Sequence, residues 1–188
     1  VASILLFCAA VCTAGEHGGK APGKVGILLV AFGSSEASAQ VSFDTIDRKV
    51  AAAYPGVAVR WGYTSQIIRE KLAGQGKHLD SPAVALARML DERFTHVVVQ
   101  SLHTIAGAEY HDLLRTVAGF KTMGGFEKIV LGDPLMATQA DMTAIVTAIV
   151  GVVPKERKKN EAVVLMGHGT HHPANAFYAA LMFQLQLQ

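Results

Sequence analysis

The chain has 188 residues, with 17 Lys+Arg against 15 Asp+Glu, a formal net charge of +2, 51% hydrophobic residues and 17% charged ones. That much apolar side chain offsets chain entropy and excludes disorder, while the near balance of charge and the short, interrupted basic run at 155–159 exclude the electrostatic footprint of a nucleic-acid binder. Eight His beside two Cys is the unusual feature of the composition.

Residues 1–14 (VASILLFCAAVCTA) carry no charge and are too short for a comfortable membrane span. They match the apolar core of a secretory signal, with Cys12 and Ala14 at the −3 and −1 places of a cut after Ala14. The basic start of such a signal is missing, so the front reads as clipped; a buried first strand is the alternative. Residues 15–24 (GEHGGKAPGK) read as a linker. Cys8 and Cys12 both fall in the signal. The mature chain is therefore expected to lack a disulfide, a thiolate nucleophile and a Cys-based zinc site. A lipoprotein cysteine at Cys12 lacks the usual preceding Leu.

From Val25 onward, short apolar runs alternate with amphipathic stretches. The runs at 25–32, 57–63, 96–102, 128–132 and 162–166 are β-branched and apolar on both faces, as in strands buried on both sides of a parallel sheet. Helices are expected over 35–53, stopped by Tyr54-Pro55-Gly56, and over 82–93, opened by Ser81 as N-cap and Pro82 at the first helical position. Further helices are expected over 108–120, 138–150 and 173–187. Five β–α units predict an α/β fold with a mainly parallel sheet. The ligand crevice of such a sheet lies beyond the carboxyl ends of its strands.

Residues 28–35 (LLVAFGSS) echo residues 164–171 (VLMGHGTH): a strand, a Gly-bearing turn with a hydroxyl residue, then a helix. With the polar stretch 154–161 this predicts a duplicated architecture. One α/β domain would cover 25–160. Residues 161–188 would be the first β–α unit of a second domain, incomplete because the chain stops inside a helix.

The strand ends carry the chemistry. After the first comes Gly33-Ser34-Ser35, where backbone N–H groups and two hydroxyls suit a carboxylate or phosphate; a plain N-cap at Ser34 or Ser35 accounts for it equally well. No nucleotide-binding glycine motif occurs. After the third strand, His103, Glu109 and His111 gather within nine residues. Glu109 suits a proton acceptor, or a first-turn carboxylate favoured by the helix dipole. His103 reads equally as a core hydrogen-bonding residue or a ligand. Asp133-Pro134 reads as a turn. After the fifth strand, Gly167-His168-Gly169-Thr170-His171-His172-Pro173 places three imidazoles beside two glycines. Imidazole is the commonest side-chain ligand of borderline divalent metals. His171 and His172 are adjacent and point differently, which leaves His168 as the candidate ligand; solvent-facing rings at a helix start are the alternative.

The motifs LLVAFGSS (28–35), TSQIIREKL (64–72), VVQSLHTIAGAEY (98–110), LGDPLM (131–136) and VVLMGHGTHHPANAFYAAL (163–181) occur together and in this order. The run 25–188 resembles the anaerobic cobalt chelatases, the sirohydrochlorin cobaltochelatases of CbiK type in the class II chelatase group. The resemblance implies two similar Rossmann-like domains with parallel sheets flanked by helices, and ATP-independent insertion of Co2+, or Fe2+, into sirohydrochlorin in cobalamin synthesis. It implies His168 as metal ligand and proton acceptor, Glu109 as the acid across the cleft, and Ser34, Ser35 and Thr64 as contacts for substrate carboxylates. The signal segment makes the chain resemble a periplasmic member. Such a member is expected to be a homo-oligomer, with no membrane or nucleic-acid partner, and to bind haem b through histidines outside the cleft, here His96 or His111. The later metal ligands of the family fall beyond Gln188, so the chain is expected to be a poor chelatase by itself. A periplasmic metal or tetrapyrrole carrier, and an inactive truncated remnant, are the competing readings.

Overall fold

Four runs of apolar, β-branched residues pair into one parallel sheet. The computed structural model describes residues 23–158 and 160–187. The expected signal at 1–14, with Cys8 and Cys12, and most of the linker lie outside them. Strand β1 (Val25–Ala31) pairs with β2 (Ala58–Tyr63) and β3 (His96–Ser101), and β3 pairs with β4 (Lys128–Gly132), giving the order β2-β1-β3-β4. Six of the seven residues of β1 are buried, as expected of a central parallel strand covered on both faces. The α/β class and the parallel sheet expected from the sequence are thus present.

The helices are α1 (Ala37–Ala53), α2 (Gln66–Ala73), α3 (Pro82–Asp91), α4 (Ala108–Met123), α5 (Gln139–Val152) and α6 (Ala176–Gln186), the last preceded by a 3-10 turn over Pro173–Asn175. Local chemistry explains their starts. Ser81 accepts a hydrogen bond from the Val84 N–H ahead of Pro82. Thr138 and Asp141 form a reciprocal capping box at α5. Helix α2 was not among the expected elements; Ser65 caps it by accepting from the Ile68 N–H. Helix α1 starts two residues later than expected, because Ser34 Oγ accepts from the Glu36 N–H and holds that stretch as a turn.

The described residues group into two compact units. The first holds residues 23–102 and 113–132. Its core joins Leu28, Val30, Leu86, Met89, Val97, Val99, Leu113 and Val117. Gly26 is required there: a Cβ on it would meet Met89 Cε and Phe94 Cε1 at 2.6 Å. Lys24, at the end of the expected linker, is tied in, since its carbonyl accepts from the N–H groups of Thr95 and His96. The second unit holds residues 103–112 and 133–187, with a small core of Ile105, Met136 and Met142, onto which Phe177, Tyr178 and Leu181 pack.

One expected element is corrected. Residues 162–166 form no strand, and Val164 and Met166 are 84% and 96% exposed. The run has strand composition, but a strand also needs a neighbouring backbone for its N–H and C=O groups, and no described segment pairs with it. Among the described residues, no helix is long and apolar enough to cross a membrane.

Candidate functional site

In the first unit the candidate residues gather at the carboxyl ends of β1 and β2. The order β2-β1-β3-β4 places the topological switch between β1 and β3, where open α/β sheets bind ligands. Gly33 turns the chain with a φ of +101°, a conformation that excludes most side chains. Beyond it, Ser34 and Ser35 leave the sheet. The Thr64 N–H donates to the Ala31 carbonyl at 2.9 Å and the Ser65 N–H to the Phe32 carbonyl at 3.1 Å. These bonds draw the end of β2 onto the end of β1 and bring Thr64 to the same edge as Ser34 and Ser35. Arg69 Nη1 clamps the turn, donating to the carbonyls of Tyr63 at 2.6 Å and Thr64 at 2.9 Å. Lys71 Nζ donates to Ser35 Oγ at 2.9 Å.

His96 lies at the opposite, amino end of the sheet, in register with Val25. Its Nδ1 is 2.9 Å from Thr95 Oγ1. Thr95 Oγ1 also lies 3.3 Å from the Lys24 carbonyl.

Sequence reading missed a cavity of about 360 Å³ lined by Gln40, Phe43, Asp44, Asp47, Arg48, Trp61 and Tyr63. Trp61 and Tyr63 stack at 5.9 Å, and Trp61 Nε1 donates to Asp47 Oδ1 at 2.8 Å. Burial, then the charges of Asp44 and Asp47, push the Tyr63 phenol up. The period-two spacing of Trp61 and Tyr63 on β2 was the available signal.

In the second unit, the carbonyls of His103 and Thr104 accept from the N–H groups of Leu135 and Met136, both at 2.9 Å. Those bonds fix the loop before α4. Glu109 sits half-buried in the first turn of α4, where the helix dipole favours a carboxylate. Burial holds the His103 imidazole below its ordinary range, and the negative charge of Glu109 opposes that shift. His103 is therefore a half-buried imidazole that feels Glu109. Tyr110 donates to Asp133 Oδ1 at 3.4 Å; burial, and then the Asp133 charge and hydrogen bond, push its phenol up.

Three histidines have tautomers dictated by the backbone. A carbonyl only accepts, so His111 Nδ1, 2.9 Å from the Gly107 oxygen, carries the hydrogen. The same holds for His168 Nδ1, 2.9 Å from the Gly169 oxygen. In both rings, when neutral, the lone pair is on Nε2. His172 is the reverse: its Nδ1 accepts from the Ala174 N–H at 3.1 Å. The His111 and His172 rings lie 4.9 Å apart. His168 and His171 are exposed, and Gly167 gives room for the Tyr178 ring, 3.3 Å from where a Cβ would stand. Of the three expected imidazoles, one is thus a helix cap and two face outward. No group of three or more His, Cys, Asp or Glu side chains able to hold a metal occurs among the described residues. His168 and Glu109 share the second unit without forming such a set.

Comparison with known proteins follows the same residues. The model of the cobalt chelatase (CbiK) family matches residues 25–187. The chain is 46% identical over 158 residues to the sirohydrochlorin cobaltochelatase CbiKC of Nitratidesulfovibrio vulgaris, covering 84% of this chain and 56% of that protein. It is 32% identical over 167 residues to the sirohydrochlorin cobaltochelatase of Salmonella typhimurium, covering 88% of this chain and 62% of that protein. The chain thus spans somewhat over half the length of these relatives.

Proposed function

Because the chain belongs to the cobalt chelatase (CbiK) family, we propose that it acts in the insertion of Co2+ into sirohydrochlorin without ATP. The two relatives named as sirohydrochlorin cobaltochelatases support this substrate pair. The observation that carries the reading is His168: an exposed imidazole between two glycines, with its hydrogen committed to the Gly169 carbonyl and its lone pair on Nε2.

The chemistry follows from what leaves and what enters. A divalent ion replaces the inner pyrrole N–H protons of the macrocycle, so the protein must offer the ion a ligand and the protons an acceptor. His168 Nε2 suits the first task and Glu109 the second. Ser34, Ser35 and Thr64 supply donors for the acidic side chains of the tetrapyrrole. Fe2+ accepts similar ligands, and metal supply decides between the two ions. The uncharged stretch 1–14 supports export to the periplasm, which fractionation of expressing cells tests. If haem binds, His96 and His111, both half-buried imidazoles, are the residues that would hold it through a ring nitrogen. Haem binding would give a Soret band that a His96→Ala or His111→Ala variant loses.

The test is single-turnover insertion with protein in excess, followed by absorbance with Co2+ and with Fe2+. Glu109→Ala should lower the insertion rate by roughly a hundredfold or more and leave tetrapyrrole binding nearly unchanged. His168→Ala should weaken insertion and the dependence on metal concentration together. An unmodified chain that binds the tetrapyrrole without inserting metal would favour the carrier reading.

A further inference from the structure

We propose that the cavity between α1 and β2 binds a small organic cation with hydrogens on its charged nitrogen, an alkylammonium or guanidinium compound. This site is independent of the chelatase reading. Its volume, about 360 Å³, lies at the lower end of ligand pockets, roughly 300–1,000 Å³. The helix side of the cavity is a stripe at i, i+3, i+4, i+7 and i+8: Gln40, Phe43, Asp44, Asp47 and Arg48. A helix that covers a sheet fills such a stripe with apolar residues. Here only Phe43 is apolar, and α1 buries none of its residues. The strand side is Trp61 and Tyr63, two apart on β2 and so on one face of the sheet. A polar helix stripe set over an aromatic strand face makes a lined cavity in place of a packed core.

Acceptors outnumber donors in the lining. Asp44 Oδ1 accepts from Gln40 Nε2 at 3.1 Å and Asp47 Oδ1 from Trp61 Nε1 at 2.8 Å; the second oxygen of each carboxylate accepts from no described residue. Arg48 Nη2 donates to Thr45 Oγ1 at 3.3 Å and Lys77 Nζ to Gln40 Oε1 at 3.1 Å, so neither cation pairs with Asp44 or Asp47. Tyr63 is a separate observation. Its side chain lines the cavity and is 9% exposed, yet its phenol bonds no described residue. A buried phenol ordinarily bonds a partner, and the space this one borders is the cavity. Asp44 and Asp47 both act on it electrostatically, which places all three oxygens around the same volume. Phe43 stands edge-on to Trp61 at 5.6 Å and to Tyr63 at 5.9 Å. Carboxylate and phenol oxygens select N–H donors, and ring faces select positive charge. A bare Mg2+ or Ca2+ calls for about six oxygen ligands, and two carboxylates do not supply them.

The chain has one tryptophan, so the fluorescence of Trp61 reports on this cavity. Titration with agmatine or putrescine should give a saturable change with a midpoint below about 1 mM. Tetramethylammonium, which has the charge but no N–H, should need roughly tenfold more, and uncharged 1,4-butanediol should give no saturable change. Asp47→Asn keeps an acceptor for Trp61 Nε1 and should weaken agmatine roughly tenfold, and Tyr63→Phe roughly threefold. Asp44→Asn, on an exposed side chain, should weaken it roughly threefold. Circular dichroism checks that each variant folds, and Asp44→Asn carries the test where Asp47→Asn does not. No saturable change with either amine up to about 10 mM would overturn the site, as would unchanged agmatine affinity in folded Asp44→Asn. Equal affinity for tetramethylammonium would overturn the assignment to N–H donors. Displacement of agmatine by equimolar Mg2+ would mark an inorganic cation site and overturn the organic assignment.

Discussion

The two units solve the problem of burying apolar residues differently. In the unit built on the sheet, Leu28, Leu86 and Met89 are fully buried between strands and helices. In the other, helix α6 (AFYAALMFQLQ) is apolar nearly all round, yet none of its residues is buried. Its core rests on Ile105, Met136 and Met142, while Val164, Met166 and Phe183 face outward. A two-sided sheet gives each strand residue neighbours above and below. Helices resting on loops give a residue neighbours on one side only, so apolar composition alone does not ensure burial.

The largest effect should come from the sheet. Leu28→Ala removes a side chain with no solvent exposure, and should cost roughly 3–5 kcal/mol in urea unfolding. Met142→Ala, in the small core, should cost about 2 kcal/mol because neighbours on the open side can relax. Equal losses at the two positions would break the contrast between the units. Next in size is the cap of α5. Thr138→Ala deletes the hydroxyl half of the reciprocal pair, leaving the backbone N–H of residue 138 on Asp141, and should cost about 1 kcal/mol, read as lower helicity and a lower midpoint.

His103 sharpens the comparison through pH. Its folded value lies below the ordinary 6.5, because burial disfavours the charged ring. The unfolded chain then binds more protons in that window. The stability His103 contributes is full above pH 6.5 and is lost as the pH falls from there through the folded value. His103→Asn should flatten the decline of stability between pH 7 and pH 5, measured as urea midpoints at each pH. A slope as steep as in the unmodified protein would assign the decline to another group. The smallest effect belongs to the outward-facing run: Met166→Ser should change stability by less than about 0.5 kcal/mol. A larger loss would mean that this residue is covered in solution.

Much of the molecule was legible before any coordinates. Strands β1 and β3 declare themselves through runs apolar on both faces, and Ser81-Pro82 announces α3 by cap chemistry alone. Helix α2 was passed over although Ser65, Ile68 and Leu72 carry its signal, because eight residues give too few turns for periodicity to stand out. The run 162–166 shows the opposite failure. Its composition is that of a strand, but pairing is a property of two segments, and one segment cannot specify its partner. At the site, the Gly-His-Gly motif and the acid at Glu109 were visible as residue types in order. The nitrogen of His168 that holds the proton was not, since the Gly169 carbonyl decides it through local backbone geometry.

By itself, the sequence determined the α/β class, the parallel sheet and the family, and it supplied His168 and Glu109 as the residues proposed for metal and proton chemistry. These follow from local patterns: side-chain period, turn residues and short motifs. Tertiary structure alone decided the strand order β2-β1-β3-β4, the lack of a pairing partner for 162–166 among the described residues, the capping role of His172 and the contact of Lys71 with Ser35. Each of these depends on which distant segments meet. That is fixed by packing and by the need to satisfy backbone hydrogen bonds across the fold, neither of which is written in neighbouring residues.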